Sequence, residues 1–162
     1  MQPWLPSCVF GAIIGQITCL KGDYMSTTVR APIETMPIFQ QNFGKFFEFL
    51  QARGTSRPAI SPERFALATS VDLKTLARNA HVHRNTISRA PESESIQNYL
   101  RESLRAIRAA TDIAGSVESA IYWFRNNPLP VFDYKTAEML VSEGRTDALI
   151  KYIQSLQAGF AG

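Results

Sequence analysis

The sequence predicts an all-α fold in which a helix-turn-helix is followed by a small helical docking module. Three observations point there. Apolar residues recur at helical spacing along most of the chain, and sustained alternation is missing. No Asn-Gly or Asp-Gly pair marks a tight hairpin. Capping and breaking residues (Ser61-Pro62, Asn127-Pro128, Gly144) recur at helix-length intervals. With 162 residues and 45% hydrophobic content, the chain can bury a core, which argues against wholesale disorder.

Residues 1–24 read differently from the rest. Cys8 to Leu20 is apolar but interrupted by Gln16 and Thr18, and is too short to span a bilayer. No Lys or Arg precedes it, so it lacks the basic region of a signal segment. Both cysteines lie here, so a disulfide framework has nothing else to bridge. Met25 opens a polar stretch typical of a protein start. Residues 1–24 are therefore expected to be an upstream or disordered extension, and the protein cytoplasmic with no membrane association.

Residues 25–60 form an N-terminal arm. Phe39, Phe43, Phe46, Phe47 and Leu50 share one helix face, expected to pack on the chain's own core rather than on a partner. Gly44 costs that helix about 1 kcal/mol relative to Ala, so packing must hold it. Residues 53–60 read as a linker.

Residues 61–110 are expected to be the helix-turn-helix domain. Ser61 caps a helix with Pro62 at its first position, ending near Thr69. Leu73, Leu76, Ala77 and Ala80 face inward on the next. A short helix follows and stops at Pro91. Ile96, Leu100, Leu104 and Ile107 mark a long helix. In residues 111–162, Ala114, Val117, Ala120, Ile121 and Phe124 define another, ended by Asn126 to Pro130. Thr136 to Ser142 is a short helix closed by Gly144. Ala148, Leu149, Tyr152, Ile153 and Leu156 define the last, terminated by Gly159.

Leu73 to Arg89 carries the DNA-reading pattern. Ala77 supplies the small residue where two helices cross. Leu76, Ala80, Val82 and Ile87 fill the wedge between them. His81 stands at the turn position usually taken by Gly, where φ is positive. The residues left over for DNA are His83, Arg84, Asn85, Ser88 and Arg89, with Lys74 or Arg78 toward phosphate. Arg pairs bidentately with guanine and Asn with adenine in the major groove. Residues 61–110 carry eight Lys or Arg against five Asp or Glu, while residues 111–162 carry four against six. The middle of the chain suits phosphate and the C-terminal part does not. A short recognition helix gains specificity by reading two half-sites, so a homodimer on double-stranded DNA is expected.

The C-terminal residues resemble the toxin-binding domain of the Xre/MbcA/ParS antitoxins of RES–Xre toxin–antitoxin systems. The likeness rests on Ala120 and Trp123, Asn127-Pro128-Leu129-Pro130, Thr136-Ala137-Glu138, Glu143-Gly144-Arg145, and Tyr152 to Gly159. Val82 to Arg89 is similar to the family's helix-turn-helix. The resemblance covers about residues 61–162. Many relatives carry Gly and then Thr-Pro before the short helix. Phe132-Asp133-Tyr134-Lys135-Thr136-Ala137 stands there in this chain, as in the Xre subgroup. The resemblance implies an antitoxin that neutralises an NAD-consuming RES-domain toxin by covering its active site and represses its own operon. Trp123, Glu143, Arg145, Tyr152 and the tail Gly159, Phe160, Ala161 and Gly162 are the expected toxin contacts. The tail pairs an aromatic with two glycines that permit close approach.

Catalysis is not expected. Lys135-Thr136 lacks the glycines of a phosphate loop, and no nucleophile is paired with a base. His81 and His83 have neither Cys nor acid at ligand spacing, so no metal and no cofactor are expected. The alternative function is a plain helix-turn-helix regulator or adaptor without a toxin partner.

Overall fold

The computed structural model of the protein describes residues 37–52 and 58–159. The extension 1–24, both cysteines, residues 53–57 and the tail residues Phe160, Ala161 and Gly162 lie outside these. The described residues form eight α-helices: α1 (Phe43–Leu50), α2 (Pro62–Thr69), α3 (Leu73–Asn79), α4 (Arg84–Arg89), α5 (Glu94–Ala114), α6 (Val117–Asn126), α7 (Ala137–Ser142) and α8 (Thr146–Gln157). One small ribbon interrupts them. Strand β1 (Pro128–Leu129) pairs antiparallel with β2 (Lys135–Thr136), joined by a 3-10 turn over Pro130–Phe132. The described residues are thus mostly helical, consistent with the all-α class, with one small ribbon that the sequence did not announce. Two-residue strands are too short to produce an alternating pattern.

Helix α5 is the axis. Its stripe Ile96, Leu100, Leu104, Ile107 and Ala110 is buried at helical spacing. Helices α6, α7 and α8 pack on it from the C-terminal side and α2 from the N-terminal side. Ala106, Ala120 and Ala137 are fully buried, and such small side chains let helices approach closely. The buried apolar residues from Phe39 to Ile153 form one continuous cluster that runs through position 110.

Capping sets the boundaries. The Ser61, Asp72 and Thr136 side chains each accept from the backbone N–H three residues on, at the starts of α2, α3 and α7. Hydrogen bonds from Thr75, side chain first and then backbone, hold the Asp72 carboxyl below the ordinary carboxylate range. Helix α5 ends at Gly115 and α7 at Gly144, both at positive φ.

Several residues sit differently from the sequence expectation. Phe39 is buried but precedes α1, because Gln40 takes φ +50° and turns the chain. Phe39 meets Phe46 edge-on with ring centres 5.1 Å apart. Its N–H donates to Glu118 Oε1 at 2.6 Å, which ties this segment to the start of α6. Phe47 is exposed, whereas Phe46 and Leu50 are buried, so the inward face of α1 is narrower than five positions. Leu73 and Leu156 are also exposed, each at the end of its helix where neighbours run out. Ala114 belongs to the last turn of α5 and not to the next helix.

The described end of the expected linker is core. Ala59 and Ile60 are buried, and Ile60 bridges Gln51. The buried Gln97 amide accepts from Ile60 N–H and donates to the carbonyls of Ile60 and Pro91, each at 2.9 Å. Gln97→Leu removes these partners from buried backbone groups, and each group left unsatisfied costs about 1–3 kcal/mol. Chemical denaturation should show at least one such increment of lost stability. An unchanged midpoint would contradict it.

Candidate nucleic-acid and protein interface

The α3–turn–α4 segment is built from the inside out. Ala77 is buried where α3 and α4 meet, beside Leu76, Ala80 and Ile87, with Val82 partly buried against them. His81 takes φ +55°, the left-handed conformation that the turn requires. Val82 N–H then donates back to the Ala77 carbonyl. Helix α4 buries Ile87 alone. Thr86 is half-buried; Arg84, Asn85, Ser88 and Arg89 are exposed, and no side-chain hydrogen bond or ion pair within the described residues engages them. His83 is the N-cap, with Nδ1 accepting from Asn85 N–H at 3.3 Å. Its imidazole thus has a structural task beside any contact with DNA. Lys74 and Arg78 are exposed on α3.

Three hydrogen bonds join this segment to α7, and sequence reasoning missed them all. Ser142 Oγ donates to the Asn79 carbonyl at 2.8 Å, while His81 Nε2 lies 2.8 Å from the Ser142 carbonyl and so is the donating nitrogen. Asn79 Nδ2 donates to Glu138 Oε1 at 2.9 Å and reaches the Tyr99 hydroxyl at 3.4 Å. A separate contact caps α2: Arg125 donates to the carbonyls of Thr69 and Ser70 at 2.6 and 3.1 Å. The residues involved are 55 to 63 positions apart, so no local pattern announces them.

Burial raises the Glu138 carboxyl above its ordinary value of 4.5, against the opposing charges of Arg125 and Arg78 and the Asn79 hydrogen bond. Arg78 thus acts on Glu138 as well as facing solvent. Burial, followed by the charge of Glu138, pushes the Tyr99 hydroxyl up to about 12.

The expected partner-contact residues fall into two patches. In the first, the Arg145 guanidinium lies 5.2 Å from the Phe132 ring centre, and Tyr152 meets that ring edge-on at 5.7 Å. Glu143 bridges to Lys135 at 2.6 Å and lies 4.0 Å from Arg145. In the second, Trp123 is partly buried and lines a cleft of about 120 Å³ with Ile113, Ile153 and Leu156. Gly159 follows α8 at φ +72°, its N–H donating to the Leu156 carbonyl, and is exposed.

The ribbon turn adds residues the sequence did not single out. Asp133 and Tyr134 are consecutive left-handed residues at φ +54° and +60°. Tyr134, Val131 and Met139 are all exposed. An exposed tyrosine held at positive φ is uncommon, and strain of this kind costs about 1–3 kcal/mol. Its one sequence signal is the departure from Gly-Thr-Pro at this loop. Among the described residues no helix is long and apolar enough to cross a membrane, and no cluster of three or more His, Cys, Asp or Glu is arranged for a metal.

Glu138→Gln keeps an acceptor for Asn79 and removes the buried charge. The wild-type carboxyl is raised on folding, so its contribution to stability is fully present below pH 4.5 and is lost as pH rises through the folded value. The variant lacks that loss. Its melting temperature relative to wild type should be level near pH 4 and climb above that range. A constant offset across the titration would contradict the assignment.

No family model, no curated protein and no solved structure matches this chain.

Proposed function

We propose that the protein is an antitoxin and autorepressor of the RES–Xre type. In this role it is a cytoplasmic homodimer that reads double-stranded operator DNA through α3, the His81 turn and α4. It neutralises a cognate RES-domain toxin through residues from Ala120 onward. The observation that carries the DNA half is α4 itself: one buried residue, Ile87, and an outer face of uncommitted donors. Guanidinium and amide groups on a rigid helix are what base edges in a major groove select. The toxin half rests on the residues that resemble the family from Ala120 to Gly159. It is supported by their placement in two accessible patches, around Phe132 and around Trp123. The tail beyond Gly159 is proposed to enter the toxin's active site. Neither role calls on the chain's own catalysis, metal or cofactor.

Gel-shift titration of the promoter region tests the DNA half. Arg84→Ala should cost about 1–3 kcal/mol of binding and relax base preference at one position of each half-site. The Arg84→Ala/Arg89→Ala double variant should keep its helical spectrum and lose specific binding. Undiminished affinity in that variant would remove the DNA assignment. Sedimentation at micromolar concentration should give a dimer, and a monomer both free and on DNA would contradict the two-half-site arrangement.

Co-expression with the product of the adjacent gene tests the toxin half. A RES-domain toxin encoded there should be neutralised by the full chain and released from inhibition when Gly159 to Gly162 are deleted. Full neutralisation by the truncated chain would defeat the tail mechanism and leave docking standing. The absence of any toxin partner would favour a plain regulator.

A further inference from the structure

A cavity of about 470 Å³ lies between α1, residues 58–60 and α5, apart from both proposed interfaces. Its floor includes Phe43, Ile60 and Leu104, and its rim carries Arg101, Arg105 and Arg108, spaced over two turns on one face of α5. The three arginines are not equivalent. Arg105 is committed to Glu102 at 2.8 Å and to Asp147 at 3.0 Å, so the acid on the rim is already neutralised. Among the described residues no carboxylate lies within salt-bridge distance of Arg101 or Arg108. Arg108 stacks over Phe43, 5.2 Å from the ring centre. A stacked guanidinium keeps its in-plane donors for an anion. Phe47 stays exposed at the mouth, an aromatic surface with no partner in the described fold.

We propose that this cavity binds one free amphipathic anion: an apolar chain or ring seated on the phenylalanines, with its carboxylate held by Arg101 and Arg108. The volume is that of ordinary small-molecule sites, which are mostly apolar with few polar anchors. Charge selects among occupants. An isologous contact with a second copy sets the same cationic rim against itself. A nucleic acid matches the arginines but leaves the aromatic floor unused. An apolar body with a single anionic head satisfies both halves, because Arg forks onto carboxylates. The site shares no residue with α4 or with the patches around Phe132 and Trp123, so it stands or falls separately from the antitoxin assignment.

Calorimetric titration of the full chain with monomeric laurate tests it. One-to-one binding is expected, with dodecyltrimethylammonium giving no comparable signal. The Arg101→Gln/Arg108→Gln variant should weaken laurate binding by about tenfold or more, as loss of charge-assisted hydrogen bonds requires. Arg101→Gln alone, on an exposed position that supports no packing, should weaken it by a smaller factor with an unchanged melting temperature and unchanged operator binding. In the titrations, four outcomes would overturn the proposal. They are no binding at millimolar laurate, equal binding of the cationic analogue, full binding by both arginine variants, and uptake only at dilutions that dissociate a dimer. Sedimentation with phosphatidylglycerol vesicles in place of monomer binding would assign the cavity to a membrane surface and equally overturn it.

Discussion

Among the described residues, the ends of three successive helices have carbonyls satisfied by side chains from later elements. Arg64 donates to the Phe49 and Gln51 carbonyls at the end of α1, Arg125 to Thr69 and Ser70 at the end of α2, and Ser142 to Asn79 at the end of α3. Short helices leave a large fraction of their carbonyls without internal partners, and burial makes that costly. Helices of seven or eight residues are therefore stable here because later helices close them. Removing α6 and α7 takes away apolar cover and also uncaps α2 and α3. The C-terminal helices thus hold the end of α3 from which the turn into α4 starts.

That dependence bears on how the two proposed roles share one chain. The segment proposed to read DNA and the segment proposed to dock the partner meet at α7, through Asn79, His81, Glu138 and Ser142. Contacts on the outer side of α7, where Met139 is exposed, lie across a single helix from those that fix the α3 end. The chain thus combines its faces within one core and has no soft linker between α4 and α8.

Much of the helical layout was legible because its signals are local. Ser61-Pro62, Gly144 and the stripe from Ile96 to Ala110 act within one or two turns, and a sequence window contains them. His81 was legible as a turn position because the flanking apolar residues fix the register, although histidine itself gave no sign of φ +55°. The placement of Phe39 was not, since the kink at Gln40 depends on Glu118, far along the chain. The β1–β2 ribbon was missed for lack of length, and the left-handed pair Asp133-Tyr134 because a lone Asp tolerates that conformation in many contexts and Tyr disfavours it. At the candidate site, the exposed donors of α4 followed from subtraction of the core. The polar joints to α7 followed from nothing local, because hydrogen bonds between distant residues impose no spacing.

The Glu118 carboxylate that holds the Phe39 and Gln40 backbone also has a consequence for biosynthesis. Chains leave the ribosome N-terminus first, and domains fold as their residues emerge. Phe39, Phe43, Phe46 and Phe49 are synthesised early, yet the contact that fixes the first of them lies 79 residues later. Until α6 emerges, this cluster of four aromatic rings lacks its anchor. A nascent chain that ends before Glu118 presents a sticky surface of the kind chaperones hold.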